Sequence, residues 1–143
     1  MNRKRILVEF ADCDPAHIVF FANYFRWFDD CTTALFLAAG LPIRKLFPAY
    51  GVLGIPVVDA SARFLAPSTQ GDELEVESTV TELRTSSFVI THKFFNGKEL
   101  LLEGKETRVW AAAHPTKPNR MKAQPLPEEV IKKLSRKAGK VAK

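Results

Sequence analysis

Between Glu73 and Leu83 the chain alternates, with Leu74, Val76 and Val80 on one face and Glu73, Glu75, Glu77, Thr79 and Thr81 on the other. A period of two predicts a half-buried β-strand over 73–83. Stretches at 57–64, 86–95 and 99–112 are further strand candidates. Asn96-Gly97, between Phe94-Phe95 and the next apolar run, predicts a two-residue hairpin, and Arg84-Thr85 a second tight reversal. A first strand is predicted over Arg3 to Phe10, where Ile6, Val8 and Phe10 alternate with charged neighbours.

One segment has a different period. Tyr24, Trp27, Phe28, Cys31, Leu35 and Ala38 recur at three- and four-residue spacing, while Phe25, Phe36 and Leu37 widen the apolar face. Gly40 before Leu41-Pro42 is a stop, so a helix is predicted over Asn23 to Ala39. A helix this apolar must be largely enclosed, as by a sheet curled around it. Residues 43–56, punctuated by Pro48, Gly51, Gly54 and Pro56, read as an irregular connection. After His114-Pro115 the chain turns polar and proline-rich. Pro127 then precedes a short amphipathic helix with Val130, Ile131 and Leu134 on one side and Lys132, Lys133 and Arg136 on the other. The pattern predicts an α+β domain over 1–114, a five-stranded, mostly antiparallel sheet against one long helix, followed by a polar basic tail over 115–143. One helix cannot cover both faces of such a sheet, and open strand edges favour self-association.

A length of 143 residues fits one domain with a real core, and 46% hydrophobic with 26% charged residues is ordinary for a globular chain. No apolar run approaches the roughly 18 residues of a membrane span, and Glu9 interrupts the short apolar run at the N-terminus. A cytoplasmic protein with no membrane partner is expected. The net charge of +5 is uneven: residues from Lys117 onward carry +7 and the rest −2. A basic segment can contact phosphates, but charge runs more commonly form a solvated surface, and no nucleic-acid partner is expected. Cys13 and Cys31 give neither a disulfide framework nor metal-ligand spacing. Cys13 lies between Asp12 and Asp14, whose negative field opposes the thiolate.

The candidate chemistry lies between Glu9 and Asp29. Asp14 precedes a proline turn and, soon after, a helix start. A carboxylate there can act as base or nucleophile on a carbonyl, while unpaired N–H groups of the helix receive the developing oxyanion. Alone, an Asp-x-Asp-Pro turn reads equally as loop architecture or a helix cap. His17 is either a proton shuttle or a loop filler, and its lack of a visible partner favours filler. Asp29 and Asp30 sit among large apolar residues and need partners, for which Arg63 is a local candidate.

The run Asp12-Cys13-Asp14-Pro15-Ala16, continuing through Ile18-Val19-Phe20-Phe21 to Asn23-Tyr24-Phe25, resembles the signature of the 4-hydroxybenzoyl-CoA thioesterase branch of the hot-dog superfamily. The order strand, long helix, four strands is similar to the hot-dog topology to about residue 114. The resemblance implies a sheet wrapped around one long helix and hydrolysis of an acyl-CoA thioester to a carboxylic acid and free CoA. It makes Asp14 the catalytic carboxylate, as nucleophile or general base, and the N–H near Phe21 the carbonyl-polarising donor. It places Trp27 and Asp29 toward the aryl end of the acyl group. His17 stands where the family usually has a small residue. The turn Glu82 to Phe88 corresponds to one that holds the nucleotide phosphates; of its basic residues only Arg84 is present, with Arg108, Arg120 and Lys122 as candidate supplements. Neither cofactor nor metal is implied, since CoA is part of the substrate. The family forms homo-oligomers, dimers or dimers of dimers up to a homotetramer, with sites between subunits. A 4-hydroxybenzoyl-like acyl group is the reading the resemblance implies. A short-chain acyl group and a non-catalytic thioester-binding protein are the alternatives.

Overall fold

Strand alternation and turn chemistry resolve into one antiparallel sheet in the computed structural model, which describes residues 1–141, with side chains to residue 135. Its strands are β1 (Asn2–Leu7), β2 (Val57–Phe64), β3 (Glu73–Leu83), β4 (Ser87–Asn96) and β5 (Glu99–Val109), in the order β1-β3-β4-β5-β2. Gly97 turns the β4–β5 hairpin at φ +59°, a conformation open to a residue without Cβ. Helix α1 (Ala22–Ala38) lies on the inner face and buries Tyr24, Trp27, Phe28, Cys31, Thr32, Leu35 and Phe36. They join Leu74, Val76 and Phe94 in one cluster, and Val80, Phe88 and Ile90 in another. The outer face is charged in register: Arg3 pairs with Glu77, Glu77 with Lys93, Lys93 with Glu103 and Glu103 with Arg63, so sign alternates across all five strands. Opposite charges directly across a ladder each contribute about 0.2–1 kcal/mol, which keeps this face solvated without straining the register.

Three boundaries and the covering of the long helix differ from expectation. The first strand ends at Leu7, and Phe10, expected as the last alternating residue of that strand, begins a single 3-10 turn and is 75% exposed. Residues 43–56 contain a helix, α2 (Ile43–Tyr50). Ile43, Leu46 and Phe47 pack on the core at helical spacing, and the signal was masked by Pro48. The long last strand breaks at buried Trp110, after which β6 (Ala111–Ala113) pairs with β7 (Met121–Ala123) in a separate ribbon. Helix α1 is covered on one side only: Arg26, Asp29, Asp30, Thr33 and Leu37 are exposed. A five-stranded sheet reaches no further round it.

The C-terminal segment, expected as a polar tail with a short helix, supplies part of the core. Leu126 and, on helix α3 (Glu128–Val141), Val130 and Leu134 pack with Trp110, Leu41 and Leu46. The side chain of Arg136 lies outside the described residues. Among the described residues no helix is long and apolar enough to cross a membrane.

The close approach of α1 to the sheet depends on Gly104 of β5. A Cβ there would collide with Phe28 Cζ and lie 3.0 Å from the Ser61 carbonyl oxygen. Phe28 is therefore seated on bare backbone, stacked on His92 with ring centroids 4.6 Å apart. Gly104→Ala is expected to destabilise by about 1–3 kcal/mol through overpacking. Urea unfolding measures this directly, and the addition of Phe28→Leu should restore part of the loss. An unchanged midpoint in the single variant would show that α1 can shift freely.

Candidate active site

The loop that leads into α1 is a closed structure. Asp14 N donates to the Ile18 carbonyl (3.0 Å), His17 N to the Asp14 carbonyl (2.9 Å) and Phe20 N to the Asp12 carbonyl (2.9 Å), while Cys13 and Val19 form a bridge pair. Its two arms are thus zipped together before the helix begins. The two carboxylates are used differently. Asp12 is buried; its Oδ2 accepts the Glu9 N–H (2.8 Å), its Oδ1 accepts Arg26 (2.8 Å), and its carbonyl also accepts Asn23 Nδ2 (2.8 Å). Asp14 is half-buried; Oδ1 accepts the Ala16 N–H at 2.8 Å, and Oδ2 has no partner among the described residues. Asp12 holds the loop, and Asp14 has an oxygen to spare. Asp12→Ala is accordingly expected to cost about 1.5–3 kcal/mol, the range for hydrogen bonds to a charged group. Asp14→Ala should unfold within about 0.5 kcal/mol of the parent protein, as substitutions outside the core usually do. Thermal melts of the pair compare them directly, and equal losses would contradict this division of labour.

Asp14 borders a cleft of about 500 Å³ lined by Phe10, Cys13, Pro15, His17, Thr69 and Gln70. His17 occupies it at φ +65°, a left-handed conformation costly for any residue with a Cβ, which explains why a small residue suits this position. Its carbonyl accepts the Thr69 hydroxyl at 2.6 Å, while its imidazole has no hydrogen-bond partner among the described residues. Phe21 is the helix N-cap; it offers no side-chain cap, and its own N–H has no acceptor among the described residues. An unsatisfied N–H at the positive end of a 17-residue helix is a ready donor to a developing oxyanion. Because Phe20 N is bonded to the Asp12 carbonyl, the Phe21 N–H is the next along the chain after the one that the Asp12–Asp14 arm holds.

The other expected residues are placed less uniformly. Trp27, expected toward substrate, is 3% exposed and packs edge-on against Tyr24 (5.4 Å) and tilted on Phe94 (6.3 Å). Asp29 is exposed, but its partner is Arg108 instead of Arg63, which stands in the outer-face charge row opposite Glu103. Arg84 is exposed and donates twice to Glu82 (3.0 and 2.8 Å). It shares its end of the sheet with the β6–β7 ribbon, because Trp110 N donates to Ser86 and Leu126 N to Thr85. That ribbon carries Lys122, with Arg120 directly before it. The 11 residues of β3 separate this end from the Asp14 loop by roughly 35 Å, so one chain does not bring Arg84 and Asp14 together.

Sequence reasoning missed a buried polar network under Asp29, which engages Arg108 and takes it away from the phosphate role expected for it. Arg108 donates through Nε to Glu106 Oε1 (2.6 Å) and through a terminal nitrogen to the Ile55 carbonyl (3.0 Å), and also to Asp29. Thr32 donates to Glu106 Oε1 at 2.6 Å. His92 presents Nε2 at 3.6 Å from the same oxygen, and its Nδ1 meets Ser78 Oγ at 2.7 Å. Burial pushes the Glu106 carboxyl up, but contacts with His92, Arg108 and Thr32 outweigh it and hold the group at about 2. The signal was present: Glu106 and Arg108 fall on the same phase of β5 as buried Leu102 and Gly104. Cys31 is buried and its thiol pushed up to about 12, mainly by desolvation, so it is inert. Among the described residues, no group of three or more His, Cys, Asp or Glu side chains is arranged to hold a metal ion.

A five-stranded antiparallel sheet on one long helix, with an acidic loop at the helix start, is the architecture of the hot-dog thioester hydrolases. The chain belongs to the thioesterase superfamily, whose family model matches residues 16–103. It is 36% identical over 110 residues to the 4-hydroxybenzoyl-CoA thioesterase of Pseudomonas sp. (strain CBS-3), covering 73% of this chain and 78% of that one. It is 35% identical over 89 residues to the 1,4-dihydroxy-2-naphthoyl-CoA hydrolase of Thermosynechococcus vestitus (strain NIES-2133 / IAM M-273 / BP-1), covering 62% and 60%. The three-dimensional structure of the Pseudomonas enzyme superposes with a TM-score of 0.83 at 32% identity, over 92% of this chain and 97% of that one.

Proposed function

We propose that the protein hydrolyses an aromatic acyl-CoA thioester to a carboxylic acid and free CoA, with Asp14 as the catalytic carboxylate and the Phe21 N–H as oxyanion donor. The observation that carries this reading is one carboxylate oxygen and one N–H, each without a partner among the described residues, at the two ends of a loop closed by backbone hydrogen bonds. Asp14 either attacks the carbonyl carbon, forming an anhydride that water then opens, or takes a proton from the attacking water. In both routes the C–S bond breaks, the thiolate leaves as CoA and recovers a proton, and the net change is addition of water. The Phe21 N–H stabilises the oxyanion in between; a single such donor contributes about 10²–10³ in rate. His17 borders the thioester, and Asp29 accepts a hydrogen bond from a hydroxyl at the far end of the acyl group. Relatives named for 4-hydroxybenzoyl-CoA and 1,4-dihydroxy-2-naphthoyl-CoA support an aromatic, hydroxylated acyl group. The reaction needs no cofactor or metal.

Arg84 is the proposed phosphate contact, with Arg120 and Lys122 beside it, and its distance from Asp14 supports a site shared between two chains. Edge strand β2 carries exposed Val57, Val58 and Phe64, with Val58 at 62%, which supports a homo-oligomer, a dimer or a dimer of dimers, as the working form in the cytoplasm. The test is thiol release from 4-hydroxybenzoyl-, benzoyl-, phenylacetyl-, short-chain and long-chain acyl-CoA. Fastest release from an aromatic ester is expected. Silence across the panel with intact CoA-ester binding would instead make this a thioester-binding protein.

A further inference from the structure

Arg108 is 7% exposed, and its ion-pair partner Asp29 is 68% exposed. The guanidinium is fixed in the core by Glu106, through Nε and Nη2, and by the Ile55 carbonyl, through Nη1, while Nη2 also holds Asp29 Oδ1. Asp29 Oδ2 has no partner among the described residues. Arg108 is also the register partner of Val57, where exposed Val57 and Val58 begin the β2 edge. A rigid acceptor therefore stands beside an apolar strip, the combination an aromatic ring with a hydroxyl substituent requires.

A buried ion pair is a poor source of stability, since a well-packed apolar replacement is often as stable or more so. What it provides here is orientation. A solvent-exposed aspartate samples several rotamers, and binding a hydroxyl would have to freeze it. A planar, anchored guanidinium removes that freedom beforehand. Gly104 completes the arrangement by letting α1 settle until Thr32 reaches Glu106.

We propose that Arg108 is a positioning residue for acyl-group recognition: locked by Glu106 and the Ile55 carbonyl, it fixes Asp29 so that the free carboxylate oxygen receives a hydroxyl on the acyl ring. This rests on the function proposed above and adds the element that sets its preference.

The experiment is calorimetric binding of 4-hydroxyphenacyl-CoA and phenacyl-CoA, thioethers with no scissile carbonyl–sulfur bond, to the full chain and to Asp29→Asn, Arg108→Lys and Glu106→Gln. The parent protein is expected to bind the hydroxylated thioether about tenfold tighter or more, the range for a hydrogen bond to a charged acceptor. Arg108→Lys should lose that preference as Asp29→Asn does, while its affinity for phenacyl-CoA stays within about twofold, a split a general loss of structure would not produce. Glu106→Gln, which loosens the guanidinium without removing it, should lose part of the preference. Retention of the full preference in an Arg108→Lys or Glu106→Gln protein that melts like the parent overturns the proposal. Equal binding of both thioethers by the parent also overturns it, while Asp14-dependent thiol release would leave the proposed hydrolysis standing.

Discussion

Asp14→Asn is expected to lower kcat for thiol release by about 10²–10⁴, the contribution typical of a positioned acid or base, with the melting temperature essentially unchanged. The reasoning is local. Asn has the same shape and its amide oxygen can still accept the Ala16 N–H, so the loop keeps its 2.8 Å contact. What disappears is a carboxylate oxygen able to attack carbon or deprotonate water. Because the loop arms are held by backbone bonds at Ile18 and Phe20 and by the Asp12–Arg26 pair, the remaining geometry, including the Phe21 N–H, stays in place. Residual hydrolysis from that donor and from substrate positioning should persist above the uncatalysed rate. Steady-state thiol release on the best ester of the panel decides the matter; a kcat within a few-fold of the parent enzyme would remove Asp14 from the chemistry.

Arg108→Met is expected to be the most destabilising single change, by about 3–5 kcal/mol at pH 7, because it leaves Glu106 charged and buried without its principal cation. The effect has a pH signature. Contacts with His92, Arg108 and Thr32 hold the Glu106 carboxyl at about 2 in the folded protein against an ordinary 4.5, so its contribution to stability is complete above pH 4.5 and is lost as pH falls from there toward 2. The size of that loss is about 3 kcal/mol, from ~1.4 kcal/mol per unit. In Arg108→Met the same carboxyl no longer gains from being charged, so the gap between variant and parent should narrow on acidification below pH 4.5. Adding Glu106→Leu should restore much of the stability at neutral pH by removing the orphaned charge. Urea unfolding across pH 3 to 7 measures all three proteins, and a gap that widens toward acid would refute the account.

Strands β3 and β2, the Asn96-Gly97 turn and the extent of α1 were legible because each rests on local information: a period of two, a period of three to four, and a glycine at positive φ. Helix α2 was less so, since Pro48 and flanking glycines carried the stronger local signal while Leu46 and Phe47 take their place from contacts with Trp110 and α3. The Asp14 loop was legible as a motif. The reason to prefer Asp14 over Asp12 lay in the resemblance, and the structure supplies a physical one in the saturation of Asp12 by Glu9 and Arg26.

Sequence alone determined the class of fold, the order of its elements and the short segment in which an acid meets a helix start, because these follow from hydrophobic period, turn residues and neighbours along the chain. Tertiary structure decided which carboxylate is free, that Trp27 faces inward, that Asp29 answers to Arg108 instead of Arg63, and that Arg84 lies a strand's length from Asp14. Each of these depends on which residues of distant segments share a face or an end of the sheet. Such meetings are set by register and by the depth to which Gly104 admits α1, and no local pattern encodes them.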